Sequence, residues 1–192
     1  MKKILPLYNA IKSKSLDHYQ PLRELSIDEH MVKSKGRSQF KQYIPNKPTK
    51  WGFKFWVLTD QTRYALDYEL YCGRQRTGSI PDHGLAYDVV MDHIKPFHFQ
   101  GYLAFFDNFY SSPELLHSLK DVGIGATGTL RTNRRGTLNC IQQLKATMNS
   151  SDVPRGTGYY YKEQGNVYVC WRDNKCVAVV SNCFPRHSDG MA

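Results

Sequence analysis

The chain has 192 residues, enough for one domain with a hydrophobic core and a small appendage. Its 26 Lys and Arg against 17 Asp and Glu give a formal charge of +9. This charge favours a polyanionic partner such as nucleic acid, although a merely basic soluble protein fits the charge equally well. No stretch approaches a membrane span and the five cysteines form no C-x-x-C pair, so we expect no membrane partner, no zinc knuckle and reduced thiols inside the cell.

Residues 1–24 predict a short helix followed by an extended lead-in, which is a weak start for an independent domain. Apolar residues that alternate with period two then indicate three strands. Their sequences are ELSIDEHMV, WGFKFWVLTD and YALDYELYCG. A basic loop separates the first two strands, and Gly36, Pro45 and Pro48 prevent regular structure in it. The segment LAYDVVMDHI predicts a helix that stops at Pro96.

A strand, a helix and a further strand are predicted next. The apolar segment YLAFF indicates a strand that ends at Asp107. In SSPELLHSLKDVG, Ser111 and Glu114 have the spacing of a capping box, and Gly123 lies where the helix would close. The segment IGATGTLR predicts the following strand. The element order βββαβαβ predicts an α/β fold in which helices pack on a mixed sheet.

The last part of the chain has a different character. Residues 132–184 combine a polar loop and a short helical piece with three short strands, TGYYYKE, NVYVCWR and KCVAVVSNC, separated by turn signals. This pattern predicts a small β-rich unit at the C-terminal end. We therefore expect a lead-in segment at 1–24, a core at 25–131, the β-rich unit at 132–184 and a disordered tail at 185–192.

Two aspartates, Asp28 and Asp107, stand on predicted strands. In a meander followed by a crossover, the crossing strand commonly lies beside the first strand, so these carboxylates could be neighbours. Two close carboxylates repel each other unless a cation lies between them, and oxygen ligands suit Mg²⁺ or Mn²⁺. Such a pair serves two-metal phosphoryl transfer. The alternative is that Asp28 is solvated at a strand edge and that Asp107 starts a turn.

Longer motifs point to a family. The strings IDEHM, KGR, QYIPNKP and KWG, together with FFDNFYSSPELLHSLKDVG and WRDNKCVAVVSN, resemble the transposase domain of the piggyBac family over about residues 21–182. The resemblance implies a ribonuclease H-like fold, a DDE metal site that uses Mg²⁺ or Mn²⁺, and DNA transposition through hairpin ends at a TTAA target. It also implies a homodimer that works on DNA in the nucleus.

By position, the resemblance makes Asp28 and Asp107 the first two catalytic, metal-binding aspartates and makes residues 132–184 similar to the family's insertion domain. The family's third aspartate follows Gly-Gly-Val after that insertion, and this chain ends before such a motif. Neither Asp173, in a predicted turn, nor Asp189, in the tail, is a convincing substitute. We therefore expect a truncated catalytic fragment that is inactive alone. The alternative is a domesticated or residual DNA-binding module without catalysis.

Basic residues cluster in two places. The loop after the first strand interleaves cations with Phe40 and Tyr43, and such a loop could hold a phosphate backbone. The alternative is a solvated basic loop. Two further arginines match positions at which the family contacts DNA near the active site. The predicted DNA-binding residues are Lys33, Lys35, Arg37, Lys41, Lys47, Arg131 and Arg134.

The remaining candidates favour structural roles. His93 and His98 flank Pro96, and a helix cannot run through that proline to align them as a zinc pair. His30 follows Asp28 by two residues and is interpreted as ordinary packing, with a place near the metal site as the alternative. The tryptophans are interpreted as core or edge aromatics because their period-two spacing explains them; they are Trp51, Trp56 and Trp171.

Overall fold

The computed structural model describes residues 4–73 and 83–183. These residues form two compact units, and the division falls between Pro96 and Phe97. Each unit contains helices and strands of its own. Within the described ranges, no helix combines the length and the apolar character that crossing a membrane requires.

The first unit is built on an antiparallel sheet. The longest strands are β1 and β3, and β3 pairs with β1 along one edge and with both β2 and β4 along the other. The elements are α1 (Leu5–Asp17), β1 (Glu24–Lys33), β2 (Lys41–Tyr43), β3 (Trp51–Asp60), β4 (Ala65–Leu70) and α2 (Leu85–Ile94). A short 3₁₀ turn, Lys95–Phe97, follows α2. The predicted helices and strands are confirmed, and β2 is a short strand inside the loop predicted to be irregular.

The alternation predicted for β3 is present, but its aromatic side is the more open one. Trp56 and Leu58 are buried together with Asp60, whereas Trp51 is 53% exposed. Leu25 and Ile27 of β1 are buried too, and they pair with Asp60 and Leu58. Because side chains alternate across a strand, the sequence shows two faces but not which face the rest of the unit covers.

A buried carboxylate, Asp60, ties the lead-in after α1 to the end of β3. Tyr19 Oη donates to Asp60 Oδ2 at 2.6 Å, and the Leu22 amide donates to the same oxygen at 3.2 Å. The Thr62 hydroxyl and amide donate to Oδ1 at 2.6 and 2.9 Å. Burial alone would raise the pKa of Asp60, but these hydrogen bonds lower it from 3.8 to about 2.

A second carboxylate, Asp67 of β4, connects both helices of the first unit to the sheet. The buried ring of His93, on α2, has Nδ1 2.7 Å from Asp67 Oδ2, and Lys12 Nζ of α1 lies 2.8 Å from Oδ1. Burial acts to raise the pKa of Asp67, yet the hydrogen bonds from His93 and Lys12 leave it below its ordinary value. His93 therefore ties α2 to β4, and the prediction that His93 and His98 form no zinc pair stays a prediction.

The second unit contains a mixed sheet. Strand β5 is parallel to β6, β6 is antiparallel to β9, and β9, β8 and β7 follow as an antiparallel meander. Helix α3 packs against β6, and α4 packs against β8 and β9. The elements are β5 (Leu103–Phe106), α3 (Pro113–Asp121), β6 (Gly125–Thr129), α4 (Asn139–Met148), β7 (Gly158–Glu163), β8 (Asn166–Arg172) and β9 (Cys176–Ser181).

Local signals in this unit agree with the structure except at one cap. The turn between β7 and β8 has positive φ at Gln164 and Gly165, as a two-residue type I′ hairpin requires. The predicted cap of α3 at Ser111 is wrong, because Ser112 Oγ accepts the Leu115 amide at 3.2 Å. The buried Ser111 hydroxyl instead donates to the Asp107 carbonyl at 2.9 Å.

The predicted division at residue 132 stays a prediction. Strand β9 pairs with β6 from Thr127↔Ser181 to Thr129↔Val179, so the strands of the predicted β-rich unit extend the sheet that contains β6. The segment GRQRTGSIPDHG, whose Gly and Pro residues predict a loop, lies largely outside the described residues. The predicted disordered tail at 185–192, with Asp189, lies wholly outside them.

We expect Asp60→Asn to destabilise the chain by about 1–3 kcal/mol near neutral pH, because the donors from Tyr19 and Thr62 lose a charged acceptor at a buried position. The folded-state pKa lies below the ordinary 3.8, so this contribution is present above about pH 4 and is lost as the pH falls towards 2. Urea unfolding across this pH range measures the effect. Equal losses for Asp60→Asn and for Asp17→Asn, at an exposed helix position, would contradict it.

Candidate functional site

The first predicted site residue, Asp28, lies in the middle of β1, where it pairs with Val57 of β3. Its side chain is exposed, on the opposite strand face from the buried Leu25 and Ile27. The Glu29 amide donates to Asp28 Oδ1 at 2.7 Å. Strand pairing on a buried apolar face therefore holds an exposed carboxylate in a defined position.

An open pocket of about 540 Å³ surrounds the Asp28 side of the first unit's sheet. His30 lies on this face beside Asp28, as the alternative interpretation of this histidine allowed. Arg63 supplies the pocket's one permanently charged cation among the residues described there. The full lining is Asp28, Glu29, His30, Val32, Phe55, Val57, Thr59, Arg63, Ala65 and Tyr68. The aromatic face predicted for β3 thus lines the pocket, through Phe55 and Val57, beside the Asp28 carboxylate.

The second predicted site residue, Asp107, begins a tight turn directly after β5. Its Oδ1 accepts the Phe109 amide at 2.8 Å, and its carbonyl accepts the Tyr110 and Ser111 amides, each at 3.2 Å. The side chain itself is exposed. The predicted alternative, a turn-starting aspartate, is therefore correct in geometry, and it does not conflict with a role as a metal ligand.

Both arginines predicted to contact DNA hold this turn. Arg131 Nε donates to Asn108 Oδ1 at 2.7 Å. Arg134 Nη2 donates to the Asn108 carbonyl at 3.0 Å and also to the Phe109 carbonyl. Burial, and to a smaller extent the charge of Arg131, lowers the pKa of Arg134. The Asp107 carboxylate raises this pKa, so it lies close enough to Arg134 for an electrostatic interaction.

The turn also requires β6 to lie close to β5 and to the residues that follow β5. A Cβ built on Gly128 would overlap Ser111 Oγ and would stand 2.8 Å from the Phe106 carbonyl oxygen. Only glycine therefore leaves room for Ser111 to reach the Asp107 carbonyl. Gly128, Ser111 and Asn108 are the site residues that sequence reasoning missed, and no local pattern distinguishes them from other small or polar loop residues.

The donor chemistry of both aspartates suits a divalent cation. In the described part of the chain, Oδ2 of Asp28 and Oδ2 of Asp107 accept no hydrogen bond, so each carboxylate keeps an oxygen available. Carboxylate oxygens are the ligands that Mg²⁺ and Mn²⁺ prefer. Residues 4–73 and 83–183 contain no group of three His, Cys, Asp or Glu side chains arranged to hold a metal.

The predicted DNA-binding cations of the first unit differ in whether a carboxylate of the chain pairs with them. Lys47 Nζ lies 3.4 Å from Glu29 Oε1, so a carboxylate already balances its charge. Lys33 and Lys35, by contrast, are exposed and form no ion pair with any described residue. Arg37 is exposed as well, and Lys41 Nζ donates to the Gly36 carbonyl at 3.2 Å. Unpaired cations therefore concentrate at the end of β1.

Comparison with known proteins identifies the class. A family model described as transposase IS4, of the DDE type, matches residues 1–190, and the chain belongs to this family. Among its relatives is the human PiggyBac transposable element-derived protein 3, which is 28% identical over 94% of this chain and 30% of its own length. The human PiggyBac transposable element-derived protein 2 is 30% identical over 94% of this chain and 31% of its own length.

A solved structure gives the same result at the level of the fold. The cryo-EM structure of the piggyBac transposase synaptic complex with hairpin DNA matches with a TM-score of 0.82 and 26% identity. The match covers 97% of this chain and 38% of that chain. The resemblance to piggyBac transposases and the ribonuclease H-like mixed α/β fold are thereby confirmed. The chain spans about 30% of the length of the human relatives it matches.

We expect Arg134→Ala to loosen the Asp107 turn and to destabilise the second unit by about 1.5–3 kcal/mol, because a half-buried charged donor to two carbonyls is lost. Arg131→Ala is the matched control, since it removes one exposed bond to a side chain and should cost under about 1 kcal/mol. Hydrogen exchange of the Tyr110 and Ser111 amides measures the loosening. Equal exchange in both variants would show that Arg134 does not hold the turn.

Proposed function

We propose that this chain is part of the catalytic domain of a piggyBac-type DDE transposase that binds DNA and takes part in metal-dependent strand cleavage and transfer. The match over 97% of the chain to a piggyBac transposase structure, solved on hairpin DNA, carries the proposal. The unpaired cations at the end of β1 support the DNA-binding part, because each would release counterions on contacting a phosphate.

Asp28 and Asp107 are the proposed metal-binding, catalytic carboxylates of this chain. Each is exposed, each is held by a main-chain hydrogen bond to Oδ1, and each keeps Oδ2 available. When bound, Mg²⁺ or Mn²⁺ would activate the attacking oxygen and stabilise the leaving oxygen of the phosphoryl transfer. The chain's own contribution is to hold these oxygens in place, through strand pairing for Asp28 and through the arginine-braced turn for Asp107.

The narrower features of the function are proposals of the same kind. We propose a TTAA target, transposon ends that pass through hairpins, a homodimer and a nuclear location. The family membership supports them. The Gly-Gly-Val-Asp motif, which the resemblance gives as the source of the third catalytic aspartate, does not occur among the 192 residues.

We therefore propose that the isolated polypeptide binds DNA without cutting it.

We expect Mn²⁺ to bind the isolated chain and Asp28→Asn or Asp107→Asn to weaken that binding about tenfold or more, because each substitution removes a charged oxygen ligand. Electron paramagnetic resonance of free Mn²⁺ measures the affinity without requiring activity. Asp17→Asn is the control, since Asp17 is exposed and pairs with Lys14. The metal assignment is wrong if all three variants keep the affinity of the parent chain.

We expect duplex DNA to bind with strong salt dependence, and the double variant Lys33→Gln/Lys35→Gln to lower the slope of log K against log salt by about 2. Fluorescence anisotropy with a labelled duplex ending in a hairpin gives both affinity and slope. The same samples, incubated with Mg²⁺ or Mn²⁺, report cleavage on denaturing gels. Cleavage that Asp107→Ala abolishes would contradict the proposed inactivity of the isolated polypeptide, whereas an unchanged slope would contradict the role of the lysines.

A further inference from the structure

The first unit has a second open pocket, of about 550 Å³, on the part of the unit that connects β1 to β3. It is formed by the residues that follow β1, by β2 and by the segment entering β3. Its volume lies in the range of pockets that take a small organic ligand. The lining residues are Lys33, Ser34, Lys35, Lys41, Pro48, Thr49, Lys50 and Trp51. We refer to these eight residues as the lysine-tryptophan pocket.

The charge of the lysine-tryptophan pocket selects an anion. Four of its eight lining residues are lysines, and none of the eight carries a carboxylate. Lys33, Lys35 and Lys50 are exposed and form no ion pair within the described part of the chain. Lys47, in the same loop, differs because Glu29 lies 3.4 Å away. The pocket therefore gathers cations whose charge the protein itself leaves unbalanced.

The aromatic member of the pocket is exposed but held in place. Trp51 is 53% exposed, and its ring packs against Tyr43 with the ring centroids 4.6 Å apart and the ring planes tilted by 36°. Its backbone pairs with Tyr43 in the β2–β3 ladder, and the Ile44 amide donates to the Lys50 carbonyl at 2.9 Å. Lys41 Nζ lies 5.4 Å from the Trp51 ring centroid. Trp51 thus presents a fixed indole next to several ammonium groups, unlike the buried Trp56 five residues later.

We propose that the lysine-tryptophan pocket binds an unpaired nucleotide of a DNA strand, with the base against Trp51 and the flanking phosphates on the lysines. This inference rests on the proposed DNA-binding function and specifies which DNA structure is bound. Inside a duplex both faces of each base are covered by its neighbours, so away from the duplex ends an exposed indole gains a stacking partner only from an unpaired base. Phosphate contact alone would use the lysines and would leave the tryptophan without a role.

The experiment compares two labelled DNA probes that have the same number of phosphates. One is a blunt duplex, and the other has two base pairs fewer and a four-nucleotide single-stranded overhang. Fluorescence anisotropy gives the affinity of the parent chain for each probe. The variants are Trp51→Leu and Trp51→Phe, and Trp171→Leu is the matched control because Trp171 is 48% exposed in the second unit.

The parent chain is expected to prefer the overhang probe, and Trp51→Leu is expected to reduce overhang binding about tenfold while blunt-duplex binding stays the same. A factor of ten corresponds to about 1.4 kcal/mol, within the range of one base–aromatic stack. Trp51→Phe keeps a ring and should retain most of the preference, and Trp171→Leu should retain all of it. Circular dichroism of each variant shows whether it is folded.

Lysine variants test the phosphate contacts separately. Lys50→Gln is expected to lower the salt-dependence slope for the overhang probe by about 1, and Lys47→Gln by less, because Glu29 already pairs with Lys47. In the parent chain, tryptophan fluorescence should also be quenched more by the overhang probe than by the blunt duplex, and the difference should persist in Trp171→Leu, whose other tryptophan besides Trp51 is the buried Trp56. This measurement remains informative if the leucine variant does not fold.

The possible results separate the two proposals. Absence of binding to either probe would overturn the proposed DNA-binding function and this inference with it. Binding to both probes with equal affinity, unaffected by Trp51→Leu, would overturn the inference and leave DNA binding intact. If Trp51→Leu lowered the affinity for both probes equally, the inference would also be overturned, because Trp51 would then contribute to paired and unpaired DNA alike.

Discussion

Backbone pairing along both edges of β3 is the constraint on which the first unit depends. One edge holds β1 and thereby places Asp28 opposite Val57, while the other holds β2 near Trp51 and β4 further along. Main-chain hydrogen bonds of this kind set the register, and a slip by one residue would turn every side chain to the opposite face. The exposed carboxylate and the lysine-tryptophan pocket therefore both depend on a single strand.

In the second unit, the turn that follows β5 fixes the position of Asp107. The carbonyl of Asp107 is held by Ser111, the carbonyls of Asn108 and Phe109 are held by Arg134, and Gly128 leaves the space that Ser111 occupies. An arginine that makes these contacts has a structural role whether or not it also meets a phosphate. Arg134, which the sequence predicts to contact DNA, thus serves to position the turn of an acidic neighbour, since a guanidinium offers several donors in a fixed plane.

The carboxylates show how far sequence reasoning reached. Asp28 and Asp107 stand out in the sequence because each interrupts or ends an apolar strand, and the structure places both side chains at the surface. Asp60 ends one apolar strand and Asp67 interrupts another in the same way, yet both are buried aspartates that connect helices, lead-in and sheet, so this pattern does not separate exposed from buried carboxylates. Their partners, among them Tyr19 and His93, are 41 and 26 residues away in the chain. Hydrogen bonds between such distant residues follow from tertiary packing and leave no local pattern.

The sequence by itself determined the element order apart from β2, the tight turn at Gln164 and Gly165, and the family, because these follow from local periodicity, turn chemistry and motifs. It did not determine which side of β3 is covered, and so it treated Trp51 as an ordinary core or edge aromatic. It also favoured Ser111 over Ser112 as the helix cap because Ser111 has the spacing of a capping box to Glu114, and this choice was wrong. Only the tertiary structure decided these points, because burial and hydrogen bonding depend on which distant segments pack against each residue.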